Sequence, residues 1–353
     1  MSRVDKKYCM SSYLMYRTIC DRTKTFSSKF TPRFYSRPSV LTMIHNSSEL
    51  YEALKTEVEK ACNSGKTAIA LSGGIDSAIL AKFMPKGSVA YTFKCIVPGK
   101  QVADETSLAA EYAKECGLEH RIVEMYWEDF EKFTPILMKH KGAPIHSIEV
   151  QIYKAALKAK EDGFDSIVFG ETADTNYGGM SGLMSKEWTF GEFVNRYSYT
   201  LPYFVLKDSQ MILEPYERFT KNGTVDCHNF QRKVFLEESM GSYVNACETA
   251  GIKLITPYAS TFWDCDVDYE RIRSGENKYL VREVFSKLYC NYEVPAKLPM
   301  PRAVNEWFAD WEGPKRPEFW ENCVIPLKGD QRWQVWCLEQ FLNMIEDEGI
   351  NNE

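Results

Sequence analysis

Ala68-Ile69-Ala70-Leu71-Ser72-Gly73-Gly74-Ile75-Asp76-Ser77-Ala78-Ile79-Leu80 is the stretch on which the fold turns. Its four leading apolar residues have the character of a strand buried on both faces. Ser77 and the residues after it suit the start of a helix. The polar turn between them carries two glycines, which let the backbone turn sharply and let a ligand approach it closely. Backbone N–H groups of such a turn, together with a helix N-terminus, are expected to converge on an anion, most often phosphate. Asp76 would be repelled there unless a cation came with the phosphates, which predicts Mg2+. The alternative is an ordinary Gly-Gly turn between strand and helix. The order is neither a Walker-type loop nor GxGxxG.

Composition narrows the class. The chain has 353 residues, enough for two domains or one large one, and 44% hydrophobic content sustains a sizeable core. A net charge of -6 argues against nucleic acid as the main partner. The eleven cysteines include no C-x-x-C pair, which disfavours a zinc ribbon or a redox motif. Residues 1–16 are polar and charged, unlike a signal peptide, and no apolar run has membrane-spanning length, so a reducing cytoplasm is expected.

Around the opening stretch, apolar and helical segments alternate. A capped helix is expected from Ser47 with Leu50, Leu54, Val58 and Cys62 on one side, then a strand over Thr67–Leu71 and a helix from Ser77 to about Met84. A strand follows at Val89–Cys95, a helix from Asp104 to Gly117, a short strand at Arg121–Glu124, a helix from Ile148 to Lys160, and a strand at Ser166–Phe169. This alternation predicts an α/β fold: a parallel, doubly wound, Rossmann-like sheet with a largely α-helical C-terminal half. Ligands in such sheets sit at the carboxyl ends of the strands. The expected division is a 1–44 N-terminal extension, a 45–185 α/β domain and a 186–353 helical region. In residues 1–44, aromatics interleaved with Arg and Lys predict two or three strands packed on the main domain, with a partner-binding arm as the alternative. The aromatics between 188 and 204 are assigned to packing, as is the stripe of Trp333, Trp336, Cys337, Phe341 and Met344 on the last helix. Asn229–Ala250 predicts one long helix.

A second polar cluster follows the last strand: Gly170-Glu171-Thr172-Ala173-Asp174-Thr175-Asn176-Tyr177-Gly178-Gly179. Glu171 and Asp174 could share one face of a helical turn and meet the phosphates across adjacent strand ends, with Asp76 and Asp174 on one metal. On spacing alone, Glu171 as a simple helix-starting residue is equally acceptable.

Ser72-Gly73-Gly74-Ile75-Asp76-Ser77 matches SGGxDS, the pyrophosphate loop of ATP pyrophosphatases. The chain resembles the synthetase domain of asparagine synthetase within that PP-loop, adenine nucleotide alpha hydrolase-like superfamily. The family has Gly-Glu-Gly-Ala-Asp-Glu-Leu-Phe-Gly-Gly where this chain has the second cluster. Thr172 and Thr175 depart from it, which leaves the second substrate open. Ile255-Thr256-Pro257-Tyr258, Lys278-Tyr279-Leu280-Val281-Arg282 and Pro295-Ala296-Lys297 extend the resemblance, with Pro295 in place of the family's arginine. A lone Lys297 in a Pro-rich loop otherwise reads as solvated. Fewer than seventy-two residues precede the loop, too few for the family's N-terminal glutaminase domain.

The resemblance implies an AMP-forming amide ligase that activates a small-molecule carboxylate as an acyl-adenylate. The nitrogen would come from ammonia or an amine, or from a separate glutaminase. It implies that Ser72, Gly73, Gly74 and Ser77 hold pyrophosphate, that Asp76 and Asp174 hold Mg2+, and that Leu71, Phe93 and Gly170 line the adenine pocket of ATP. Lys297 and Lys278 would neutralise charge on the departing pyrophosphate, and Glu171 would be the base. A lactam-synthetase-type cyclase and a PP-loop tRNA-modifying enzyme are the alternatives.

Overall fold

The computed structural model describes residues 3–296, 298 and 300–350. Thr67–Ala70 (β1) is a strand buried at every position. Ala68 and Ala70 face one apolar core, while Ile69 and the following Leu71 face another. That period of two, apolar on both sides, is what a central parallel strand requires. Val89–Cys95 (β2), Glu119–Met125 (β3), Ser166–Val168 (β4) and Lys253–Ile255 (β5) complete the sheet, in the order β5-β4-β1-β2-β3, with every pairing parallel. The chain runs outward from β1 through β3, then returns to the other side of β1. β1 and β4 therefore flank the switch in strand order, the crevice where open α/β sheets hold ligands. Ile69 is paired with Val168, so both strands end side by side, at the two polar clusters.

Helices cover both faces. Ser47–Ser64 buries Leu50, Leu54 and Val58 on one core, and Asn46, one residue before the expected cap, accepts the Glu49 N–H at 3.0 Å. Ile75–Ala81 begins two residues before the expected Ser77 because the extended Gly74 already supplies the turn into the helix. Thr106–Cys116 lies on the same side, where Ala109, Tyr112 and Ala113 join the core of Ile69 and Leu71. On the other face lie Ser147–Glu161 and Trp127–Lys141, the latter a helix absent from the sequence reading. The helix expected over Asn229–Ala250 is split: a π-helical turn at Gln231–Phe235 leads into Leu236–Ala250.

The N-terminal strands expected before residue 44 are mostly replaced by a helix. Lys6–Tyr16 is helical, capped by the Asp5 side chain, and every residue from Tyr8 to Tyr16 is buried. Strand pairing is confined to Arg3–Val4 with Lys24–Thr25, and to Thr42–Ile44 with Thr261–Trp263. A helix enclosed on all sides has no polar face and so no helical period in its sequence. The Tyr13 and Tyr16 hydroxyls donate to the Ile145 and Ile212 carbonyls, both at 2.7 Å, which ties this helix into the body of the molecule. All eleven cysteines are free thiols. No described helix is long and apolar enough to cross a membrane.

Candidate functional site

The ends of β1 and β4 open into a cavity of about 200 Å³. Its lining includes eight of the residues picked out by sequence: Leu71, Ser72, Asp76, Ser77, Phe93, Gly170, Glu171 and Asp174. Gly73 and Gly74 form the loop beside them. Lys297 lies outside the described residues.

Side chains take up the loop's backbone donors: the N–H groups of Ser72, Gly73 and Gly74 donate to Ser77 Oγ at 3.0 Å, Glu105 Oε2 at 2.8 Å and Ser72 Oγ at 3.1 Å. Side chains thus fix the loop's shape. The Ser72 and Ser77 hydroxyls are 2.9 Å apart at the centre of this network, and the first-turn N–H groups of the helix lack intrahelical partners. Gly170 is needed for closeness: a Cβ there would stand 2.9 Å from Ser77 N and 3.1 Å from the Asp76 carbonyl carbon. Only a glycine lets the end of β4 lie against the start of that helix.

The two acidic motifs meet. Lys278 Nζ lies 2.7 and 2.9 Å from the Asp76 carboxylate oxygens and 3.0 Å from Asp174 Oδ1. Lys278 is 6% exposed and sits in a left-handed conformation, φ 53°, just before the helix Tyr279–Leu288. Burial pulls its ammonium toward neutrality, but the Asp174 and Asp76 charges outweigh it and hold the proton well above the usual lysine range. Gly179 closes the other side, where a Cβ would fall on Asp174 Oδ1 and within 2.7 Å of Lys278 Cδ. Two carboxylates converging from separate motifs form an oxygen-donor pair of the kind that suits Mg2+. Among the described residues, no cluster of three or more metal-ligating side chains occurs. Further metal ligands would have to come from phosphate and water, as is usual for Mg2+.

Glu171 also lines the cavity. Ser239 Oγ donates to its Oε1 at 2.5 Å, and Tyr243 lines the same cavity. Burial raises its proton affinity; the Ser239 and Thr172 donors oppose the rise, the Asp174 charge adds to it, and the net shift is upward. Such a carboxylate is poised to accept a proton nearer neutrality than a solvated one. Thr172, where the resembled family has glycine, adopts φ 81°. A buried β-branched residue in that region is a strained position next to the site.

Sequence reasoning missed Glu105, Ser239 and Tyr243. The last two sit four apart on one helix face, a spacing that marks them as neighbours but does not reveal what they touch.

A profile of the asparagine synthase family matches residues 49–249, more than half of the chain. The chain belongs to the asparagine synthase family. With that membership goes an α/β architecture, a parallel five-stranded sheet covered by helices on both faces. A search of curated proteins finds no match. Among solved structures, an NH3-dependent NAD synthetase from Campylobacter jejuni is similar at 15% identity and a TM-score of 0.26. That alignment covers 38% of this chain and 61% of the other. An NMN synthetase from Francisella tularensis is similar at 14% identity and a TM-score of 0.29, covering 72% of this chain and 99% of the other.

Proposed function

We propose that this protein joins a small-molecule carboxylate to ammonia or an amine while ATP is cleaved to AMP and pyrophosphate. The observation that carries the reading is the convergence of Asp76 and Asp174 on one cation position beside the Gly73–Gly74 loop. A substrate carboxylate oxygen attacks the α-phosphorus of ATP, the bond to the bridging oxygen breaks, and pyrophosphate leaves. The nitrogen lone pair then attacks the acyl carbon of the adenylate, AMP departs, and an amide remains.

This chain's side chains fit those steps. Leu71, Phe93 and Gly170 line the cavity where adenine would lie, and the Ser72 and Ser77 hydroxyls, in the same lining, would meet the phosphates. Asp76 and Asp174 would hold Mg2+, which when bound offsets phosphate charge. Lys278, paired with both carboxylates, would supply a fixed positive charge beside that ion, and Lys297 would add a second on the family resemblance. Positioned charge of this kind is the main means of stabilising a phosphoryl-type transition state. Glu171, held by Ser239, takes the proton from the attacking nitrogen.

The test is a screen of carboxylic acids for substrate-dependent pyrophosphate release from ATP, with ammonia present and absent. A hit with AMP as co-product supports the reading. Release of ADP and phosphate would refute it. The product mass separates an intermolecular amide from an internal ring closure.

A further inference from the structure

The glycine loop would be the most pliable part of the nucleotide cleft, since two adjacent glycines restrict the backbone least. Two of its three side-chain anchors come from within the motif, Ser72 and Ser77. The third comes from elsewhere: Glu105, 32 residues away, accepts the Gly73 N–H at 2.8 Å. Glu105 is 8% exposed and immediately precedes the helix Thr106–Cys116. Gly73 also packs on that helix, where a Cβ at Gly73 would meet Glu105 Cβ at 3.4 Å and Leu108 Cδ2 at 3.5 Å. The next acidic residue over, Asp104, is engaged differently, in an ion pair with Lys94 at 2.8 Å and as acceptor of the Thr106 N–H.

We infer that Glu105 is a positioning residue for the nucleotide: by reach rather than by charge, its carboxylate pins the Gly73 N–H and sets the shape of the loop that receives the phosphates. A negative side chain buried beside a phosphate site would weaken binding if charge were its contribution. The geometry explains why it is tolerated. A buried N–H without an acceptor is costly, and an acceptor supplied by a rigid helix start holds the loop before ATP arrives. The role rests on the ATP reading of this cleft.

Three variants separate reach from charge. Glu105→Gln keeps an oxygen at the same distance and removes the charge. Glu105→Asp keeps the charge and loses one methylene of reach. Glu105→Ala loses both. Equilibrium binding of ATP with Mg2+ to the full chain is measured by titration calorimetry, with thermal unfolding as the fold check. Gln is expected within about threefold of the parent, whereas Asp and Ala weaken ATP by about tenfold, the scale of one hydrogen bond to a buried donor. If Ala does not stay folded, the Gln and Asp pair decides alone. The inference is overturned if Asp binds like the parent and Gln does not, or if all three bind ATP equally or more tightly. A parent protein that does not bind ATP overturns the nucleotide reading itself, and this inference with it.

Discussion

Replacing Lys278 with methionine removes the cation between two carboxylates and keeps most of the side-chain volume. The oxygens of Asp76 and Asp174 lie 2.7 and 3.0 Å from the same nitrogen. They are therefore no more than about 6 Å apart, and two unit charges at that distance repel by about 3 kcal/mol at an effective dielectric near 20. Breaking a buried pair by deleting one partner costs about 3–5 kcal/mol. The carboxylates are 20% and 32% exposed, so water recovers part of this loss. A net destabilisation of about 3 kcal/mol is expected, a fall in Tm of roughly 4 °C for a chain of this size. Millimolar Mg2+ should restore part of that loss in Lys278→Met and have a smaller effect on the parent, because removing the ammonium leaves two facing carboxylates that a divalent ion would bridge. Differential scanning calorimetry with and without Mg2+ reads both effects. A Lys278→Met protein as stable as the parent, with no response to Mg2+, would refute the reasoning.

Other perturbations have definite outcomes. Gly170→Ala places a methyl 2.9 Å from a backbone nitrogen, which should cost about 1–3 kcal/mol in urea unfolding and abolish ATP binding; a parent-like result in both would contradict the close packing. Because burial raises the folded-state proton affinity of Glu171, its contribution to stability is fully present below the usual 4.5 and is lost as pH rises through its raised value. Glu171→Gln should therefore be more stable than the parent at pH 7, with the gap closing on acidification toward 4.5, while adenylation survives better than amide formation; equal loss of both steps would indicate a metal or structural role. Burial depresses His228 from 6.5 to about 4, so its contribution is present above 6.5 and lost as pH falls toward 4. His228→Gln should flatten the acid limb of Tm against pH between those values, and an unchanged slope would remove His228 as its source.

How much of this was legible in the sequence follows from where each signal lies. β1 and β4 read as short apolar runs because both faces are buried, and the polar residues at their carboxyl ends stood out against that background. The helix Lys6–Tyr16 was illegible for a related reason: buried on every side, it carries no polar face to set a period. The edge strand Lys253–Ile255, half-exposed and three residues long, gives too short a pattern to recognise. Within the site, family resemblance picked out Lys278, but its position between Asp76 and Asp174 is a contact across 202 residues, which spacing does not encode. Glu105 and Ser239 act across 32 and 68 residues for the same reason. The loop itself shows a further limit. Its glycines announced an anion site, yet the acceptor of the Gly73 N–H, Glu105, is folded in from 32 residues away.

The most direct measurement is the binding of Mn2+, as a spectroscopic substitute for Mg2+, in the presence of ATP, read by electron paramagnetic resonance on the full chain. One nucleotide-dependent ion per chain is expected, lost in Asp76→Asn and equally in Asp174→Asn while both variants remain folded. Retention of that ion in either variant would show that the two carboxylates do not share one metal-bound nucleotide.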